Sequence, residues 1–186
     1  MKVLIIPEDP RKDQYIPKPI FERLFASFAK PNTKVVVCTN PPMRGINDAL
    51  KIERLNEVFE RYPMFGIFVL CVDRDGVTTR RNRLDQLEKT HGRLIAVNAW
   101  EELETWVLAG HELPKEWVWA HIRADVSVKE NYFEPFARQR RVDDGPGGGR
   151  KALGEEAVRR LTGMRQKCPE DLDHVALRLA EAVASV

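Results

Sequence analysis

Apolar and polar positions along the chain alternate between short continuous apolar runs and longer stretches with apolar residues at helical spacing. Residues 2–6, apolar after Lys2 and stopped by Pro7, read as a buried strand. Ile20, Leu24, Phe25 and Phe28 then recur at helical spacing behind Pro19, and Pro31-Asn32 ends that helix. A β-branched strand follows at 34–38, and a helix carries Leu50, Leu55, Val58 and Phe59 on one face. The stretch 65–72 is apolar at nearly every position, as expected of a central strand covered on both sides, and Asp73-Arg74-Asp75-Gly76 terminates it. A basic helix is expected over 79–90 and a fourth strand over 93–97. Asn98 reads as an N-cap, with Glu101 completing a capping box for a helix that carries Leu103, Trp106, Val107 and Leu108 and closes near Gly110.

Strand–helix alternation of this kind predicts an α/β fold: a mostly parallel four-stranded sheet over residues 1–110, flanked by helices. Beyond Gly110 the pattern is helical, with segments near 114–123, 135–141, 151–164 and 170–184 and a glycine-rich loop at 145–149. Residues 111–186 are expected to be a helical extension packed on the same domain.

Composition narrows the class without naming a partner. With 43% hydrophobic and 31% charged residues the chain is that of an ordinary globular domain. Its longest unbroken apolar run, 67–72, is too short to span a bilayer, and the N-terminal run is cut off by Pro7, Glu8, Asp9 and Pro10. The expectation is a cytoplasmic protein with no membrane partner. Cys38, Cys71 and Cys168 have neither disulfide nor zinc-ligand spacing. Net charge is only +2, but 138–167 holds nine Lys or Arg against four Asp or Glu, a surface able to meet phosphates or simply a solvated helix face.

Candidate chemistry gathers at the strand ends, where parallel α/β sheets bind ligands. Glu8 lies just past the first strand, and Asp73 and Asp75 just past the third. Alternate residues of an extended segment point the same way, so Asp73 and Asp75 are expected to share a cation, and a hard ion such as Mg²⁺ takes one or two carboxylates with waters and substrate phosphates. The competing reading of Asp-x-Asp-Gly is a solvated turn.

Three stretches carry a family resemblance. Leu4-Ile5-Ile6-Pro7-Glu8 and Phe68-Val69-Leu70-Cys71-Val72-Asp73-Arg74-Asp75-Gly76 resemble the toprim domain of topoisomerases, primases and overcoming-lysogenization-defect nucleases. Residues 98–110, Asn98-Ala99-Trp100-Glu101-Glu102-Leu103-Glu104-Thr105-Trp106-Val107-Leu108-Ala109-Gly110, look like a segment of small toprim-like proteins found beside ATPases in bacterial defence operons. The resemblance implies a toprim-like fold and a nuclease dependent on Mg²⁺ or Mn²⁺, acting in anti-phage defence with an ATPase partner. It implies catalytic roles for Glu8, Asp73 and Asp75, which would hold the metal, with Glu104 completing a second metal position and Glu102 in reserve. Nucleic acid, DNA or RNA, would be the partner, with Arg74, Arg80, Arg81, Arg150 and Lys151 meeting its phosphates.

Two rivals follow from the same residues. Val72-Asp73-Arg74-Asp75-Gly76-Val77-Thr78 also fits the nucleophile motif of haloacid-dehalogenase phosphatases, with Asp73 as nucleophile, but two strands precede it where that family places it after the first. A non-catalytic regulatory or binding subunit of the same fold is the second. The loop 145–151 lacks the Gly-Lys-Ser/Thr ending of a phosphate-binding loop. Trp117 and Trp119 are read as packing residues rather than stacking platforms, and the four histidines have no ligand spacing.

Overall fold

The computed structural model describes residues 1–184, so the last two positions of the expected extension lie outside it. The fold is α/β. Strands β1 (Lys2–Pro7), β2 (Lys34–Val37), β3 (Ile67–Asp73) and β4 (Leu94–Ala99) form one four-stranded sheet in the order β2-β1-β3-β4. Every pairing is parallel, and β3 lies inside the sheet, with Val3 opposite Ile67 and Phe68 opposite Leu94.

The period of two along each strand builds two cores. Val3, Ile5, Val69, Cys71, Ile95 and Val97 point to one face; Leu4, Ile6, Phe68, Leu70, Val72 and Ala96 point to the other. On the second face lie α2 (Ile46–Ala49), α3 (Ile52–Arg61) and α4 (Arg80–Thr90), through Ala49, Leu55, Val58, Leu84 and Leu87. The first face receives α1 (Pro17–Ser27) and α5 (Glu104–Ala109), with Phe21 edge-on to Trp106 at 6.5 Å. The same cluster takes in residues of the helical tail: α6 (Trp119–Ala124), α7 (Glu134–Gln139), α8 (Arg150–Ala157), α9 (Leu161–Lys167) and α10 (His174–Ala184). Ile122, Phe136, Leu153, Met164 and Leu179 are the tail's main contributions to it.

One expected element is corrected. Asn98 does not cap a helix. It is the fifth residue of β4 and pairs with Val72, and α5 opens only at Glu104. Ladder hydrogen bonding to β3 outcompetes the local capping box, and the Glu101 carboxylate finds its partners across the strand ends instead. No helix among the described residues is long and apolar enough to cross a membrane.

Candidate active site

In this strand order the chain leaves β1 toward β2 on one side and returns to β3 on the other. The direction of winding therefore reverses between β1 and β3, which opens a crevice at their carboxyl ends. Glu8 and Asp73 meet there: the Asp73 main-chain N–H donates to Glu8 Oε1 at 2.8 Å. Asp73 Oδ1 in turn accepts the Leu103 N–H at 2.8 Å, which ties β3 to the approach to α5.

Asp75 departs from the expected geometry. Strand β3 stops at Asp73, and Asp75 adopts a left-handed φ of 46°, so the extended alternation that would align the two aspartates is lost. Its side chain is 46% exposed and pairs with Arg80 at 2.9 Å; Arg80 Nη1 also donates to the Asp73 carbonyl.

Asp13, in the helical turn Asp13–Tyr15 after β1, joins the site, and its Oδ2 accepts the Asp9 N–H at 2.8 Å. The sequence reading missed it. The available signal was a further carboxylate in the loop opened by Glu8. Glu104 lies at the start of α5, 4% exposed, and pairs with Arg150 at the start of α8. Arg150 Nη1 donates to the Gly147 carbonyl at 2.7 Å. The loop that delivers Arg150 runs through Gly147, Gly148 and Gly149 at φ of 69°, 64° and 89°, a path that favours glycine at each step.

The carboxylates interact electrostatically. Burial pushes Glu8 up to about 7, with Asp75 adding to the rise. Burial, and then Glu104, pushes Asp13 up to about 6. Asp73 is held well above the ordinary carboxylate range, first by burial and then by Glu104, Glu8 and Asp13. Glu102, the reserve ligand, is partly buried and tied to the backbone of the tail. Burial pushes it up to about 7, and its Oε2 accepts the Lys129 N–H at 2.5 Å.

A carboxyl whose folded pKa is raised binds its proton more tightly folded than unfolded. The stabilisation is complete below the ordinary values of 4.5 for Glu8 and 3.8 for Asp13, and is lost as pH climbs through about 7 and about 6. Arg80 and Arg150 face these groups and oppose the effect without cancelling it. In chelator, the melting temperature should fall between pH 5 and pH 8, and less steeply in Asp73→Asn. A melting temperature that rises over this interval contradicts the assignment.

The fit to a hard divalent cation is chemical rather than preformed. Buried, mutually repelling carboxylates with raised pKa values lack positive charge, and their oxygens are the donors that Mg²⁺ takes. Yet among the described residues no three His, Cys, Asp or Glu side chains converge closely enough to hold a metal ion, and Glu104 is engaged by Arg150. The set therefore fits an ion held by Glu8 and Asp73 and completed by water and phosphate, not a closed cage.

The basic residues expected at phosphates are mostly engaged within the chain. Arg74 pairs with Glu101; Arg81 bonds Asp85, Glu88 and the Ala96 carbonyl; Arg80 and Arg150 are buried in the pairs above. Lys151 is exposed, 3.5 Å from Glu155. Glu101, at a left-handed φ of 63°, also accepts the Gly76 N–H at 2.7 Å and so locks the Asp-Arg-Asp-Gly turn to the end of β4. Comparison with protein-family models, with curated proteins and with solved structures gives no match.

Proposed function

We propose that this chain is a cytoplasmic, divalent-metal-dependent nuclease of toprim-like type. The observation that carries the reading is the pairing of Glu8 with Asp73 at the β1–β3 reversal, inside a cluster of carboxylates short of positive charge. Glu8 and Asp73 would hold Mg²⁺ or Mn²⁺, and Glu104 would join them once released by Arg150. When bound, such an ion supplies positive charge at the phosphoryl oxygens and makes water more acidic. Exposed Asp75 and its buried partner Arg80 lie beside the position at which Glu8 and Asp73 would hold the ion. Glu8 uses Oε1 to hold the Asp73 amide, which leaves Oε2 either to ligate the ion or, with the ion on Asp73, to exchange a proton with the attacking or leaving oxygen; in the metal-free site burial raises Glu8 to about 7. The resemblance of residues 98–110 extends the proposal to an anti-phage effector that works with an ATPase.

The test is cleavage of labelled single- and double-stranded DNA and RNA with Mg²⁺ or Mn²⁺, with and without any ATPase found encoded beside the gene. Glu8→Gln and Asp73→Asn should each lose at least about 100-fold in rate, in the range of one lost acid/base or metal-dependent contribution, while keeping the wild-type circular dichroism spectrum. Cleavage that survives Asp73→Asn, or that never appears, refutes the nuclease. A phosphomonoesterase activity that traps phosphate on Asp73 would assign the phosphatase instead.

A further inference from the structure

Trp117 and Trp119 are two residues apart and have different surroundings. Trp117 is packed edge-on to Tyr132 at 5.1 Å and lies against Phe136. Trp119 opens α6 and lines a hollow of about 710 Å³ together with Trp100, Arg74, Arg123 and Lys167. A second hollow, of about 310 Å³, shares Arg74, Trp100 and Glu170 with the first and runs along the end of β4 past Asn98 toward His174. The two form one trough bent around Trp100.

Three features give this trough a chemistry. Aromatic rings and cations alternate along it: the Arg74 guanidinium lies 3.8 Å from the Trp100 ring centre, Arg123 5.2 Å from the same ring, and the Lys167 ammonium 5.4 Å from Trp119. The acidic side chains along it are already bonded. Glu101 is held by Arg74 and the Gly76 amide, Glu170 by Arg123 at 2.6 Å, and Asp171 by the Trp100 amide and the Trp106 indole. Finally, of the five buried side-chain polar atoms without a hydrogen-bond partner among the described residues, three belong to residues lining the trough: Arg74 Nε, Asn98 Oδ1 and Arg123 Nη1. Buried polar groups of a folded protein are normally satisfied, so unsatisfied ones clustered at a hollow point to a ligand.

The trough also has a place relative to the acidic site. Arg74 sits between Asp73 and Asp75, and its amide bonds the Ala99 and Glu101 carbonyls, so one end of the trough begins at the turn that carries the carboxylates. We infer that this trough binds a single strand of nucleic acid, with a base against Trp119 and phosphates on Lys167 and Arg123, while Arg74, stacked on Trp100, walls the end nearest the acidic turn. Interleaved rings and cations are what sequence-tolerant single-strand binding requires, since every base offers a π-face and every nucleotide a charge. The inference deepens the nuclease reading and rests on it: the strand held here is the one presented to Glu8 and Asp73.

The experiment uses the full chain in chelator, where no cleavage interferes, and a fluorescein-labelled oligothymidylate or oligouridylate read by anisotropy. Trp119→Ala should weaken binding about tenfold, within the range of one lost base stack, and Trp119→Phe should restore most of it. Lys167→Gln should weaken binding and lower the slope of log affinity against log salt by about 0.7, the share of one single-strand phosphate contact. Lys30→Gln, on an exposed residue ahead of β2 at the opposite end of the sheet, should change neither. Equal loss in Lys30→Gln and Lys167→Gln, tighter binding of duplex than of single strand, or binding of polyglutamate in place of the oligonucleotide overturns the inference. Tight single-strand binding that depends on Trp119 but is never followed by cleavage with Mg²⁺ or Mn²⁺ supports the trough and refutes the nuclease. Cleavage that Trp119→Ala and Lys167→Gln leave untouched does the reverse.

Discussion

Arg150→Met should lower stability by about 3–5 kcal/mol, the cost of leaving one member of a buried ion pair without its partner. Arg150 and Glu104 have side chains only 9% and 5% exposed. Methionine fills much of the volume of the arginine stem, so the loss reports the uncompensated carboxylate rather than a cavity. For a chain of this length that is a fall of about 10 °C in melting temperature. The double variant Arg150→Met/Glu104→Gln removes the stranded charge and should recover more than half of the loss. A single variant that melts within a degree of wild type would show that the pair is not buried as described. The same variant carries a second readout. With Glu104 released, Mg²⁺ should raise the melting temperature of Arg150→Met by more than it raises that of the parent, because ligand-linked stabilisation grows with affinity. An equal increment in both chains would separate Glu104 from the proposed metal position.

Gly110→Ala should cost about 1–3 kcal/mol through overpacking alone, since the backbone there is unstrained and the residue caps α5 normally. A Cβ at Gly110 would lie 2.6 Å from the Ala157 Cβ, 2.7 Å from its Cα and 2.8 Å from its carbonyl oxygen. Helices α5 and α8 touch through this pair of small residues, and they carry Glu104 and Arg150 respectively. A methyl group at 110 must push the two helices apart, so the same variant should also loosen the buried ion pair. Ala157→Gly in the Gly110→Ala background removes the shortest of the three contacts but not the two with backbone atoms, so rescue should be partial. Full rescue would mean that the helices do not approach backbone to backbone.

The sheet was legible in the sequence because its signals are local. The apolar run 65–72 required cover on both sides, and β3 has it, with Val69 and Cys71 in one core and Phe68, Leu70 and Val72 in the other. The alternation of strands and helices fixed a parallel sheet, and parallel pairing put the Glu8 and Asp73 strand ends on the same edge. The local reading failed at Asn98, where a capping pattern of the right spacing lost to cross-strand pairing with Val72, and at Asp75, where the strand stopped too early to align the two aspartates.

Partners distant in sequence were decided by the tertiary structure alone. Glu104 meets Arg150 across 46 positions, and the Trp106 indole meets Asp171 across 65. No periodicity of two or 3.6 encodes which side chains converge over such separations; packing of the tail against the sheet does. That packing turned Arg150 inward, and the end of β3 drew in Arg80, although their charge alone marked both for a phosphate. It brought Asp13 into the electrostatic neighbourhood of Glu104 and Asp73. It also buried Trp117 against Tyr132 while leaving Trp119 at an open trough, a difference that two tryptophans in one short segment could not display in sequence, because burial depends on what the rest of the chain places above each ring.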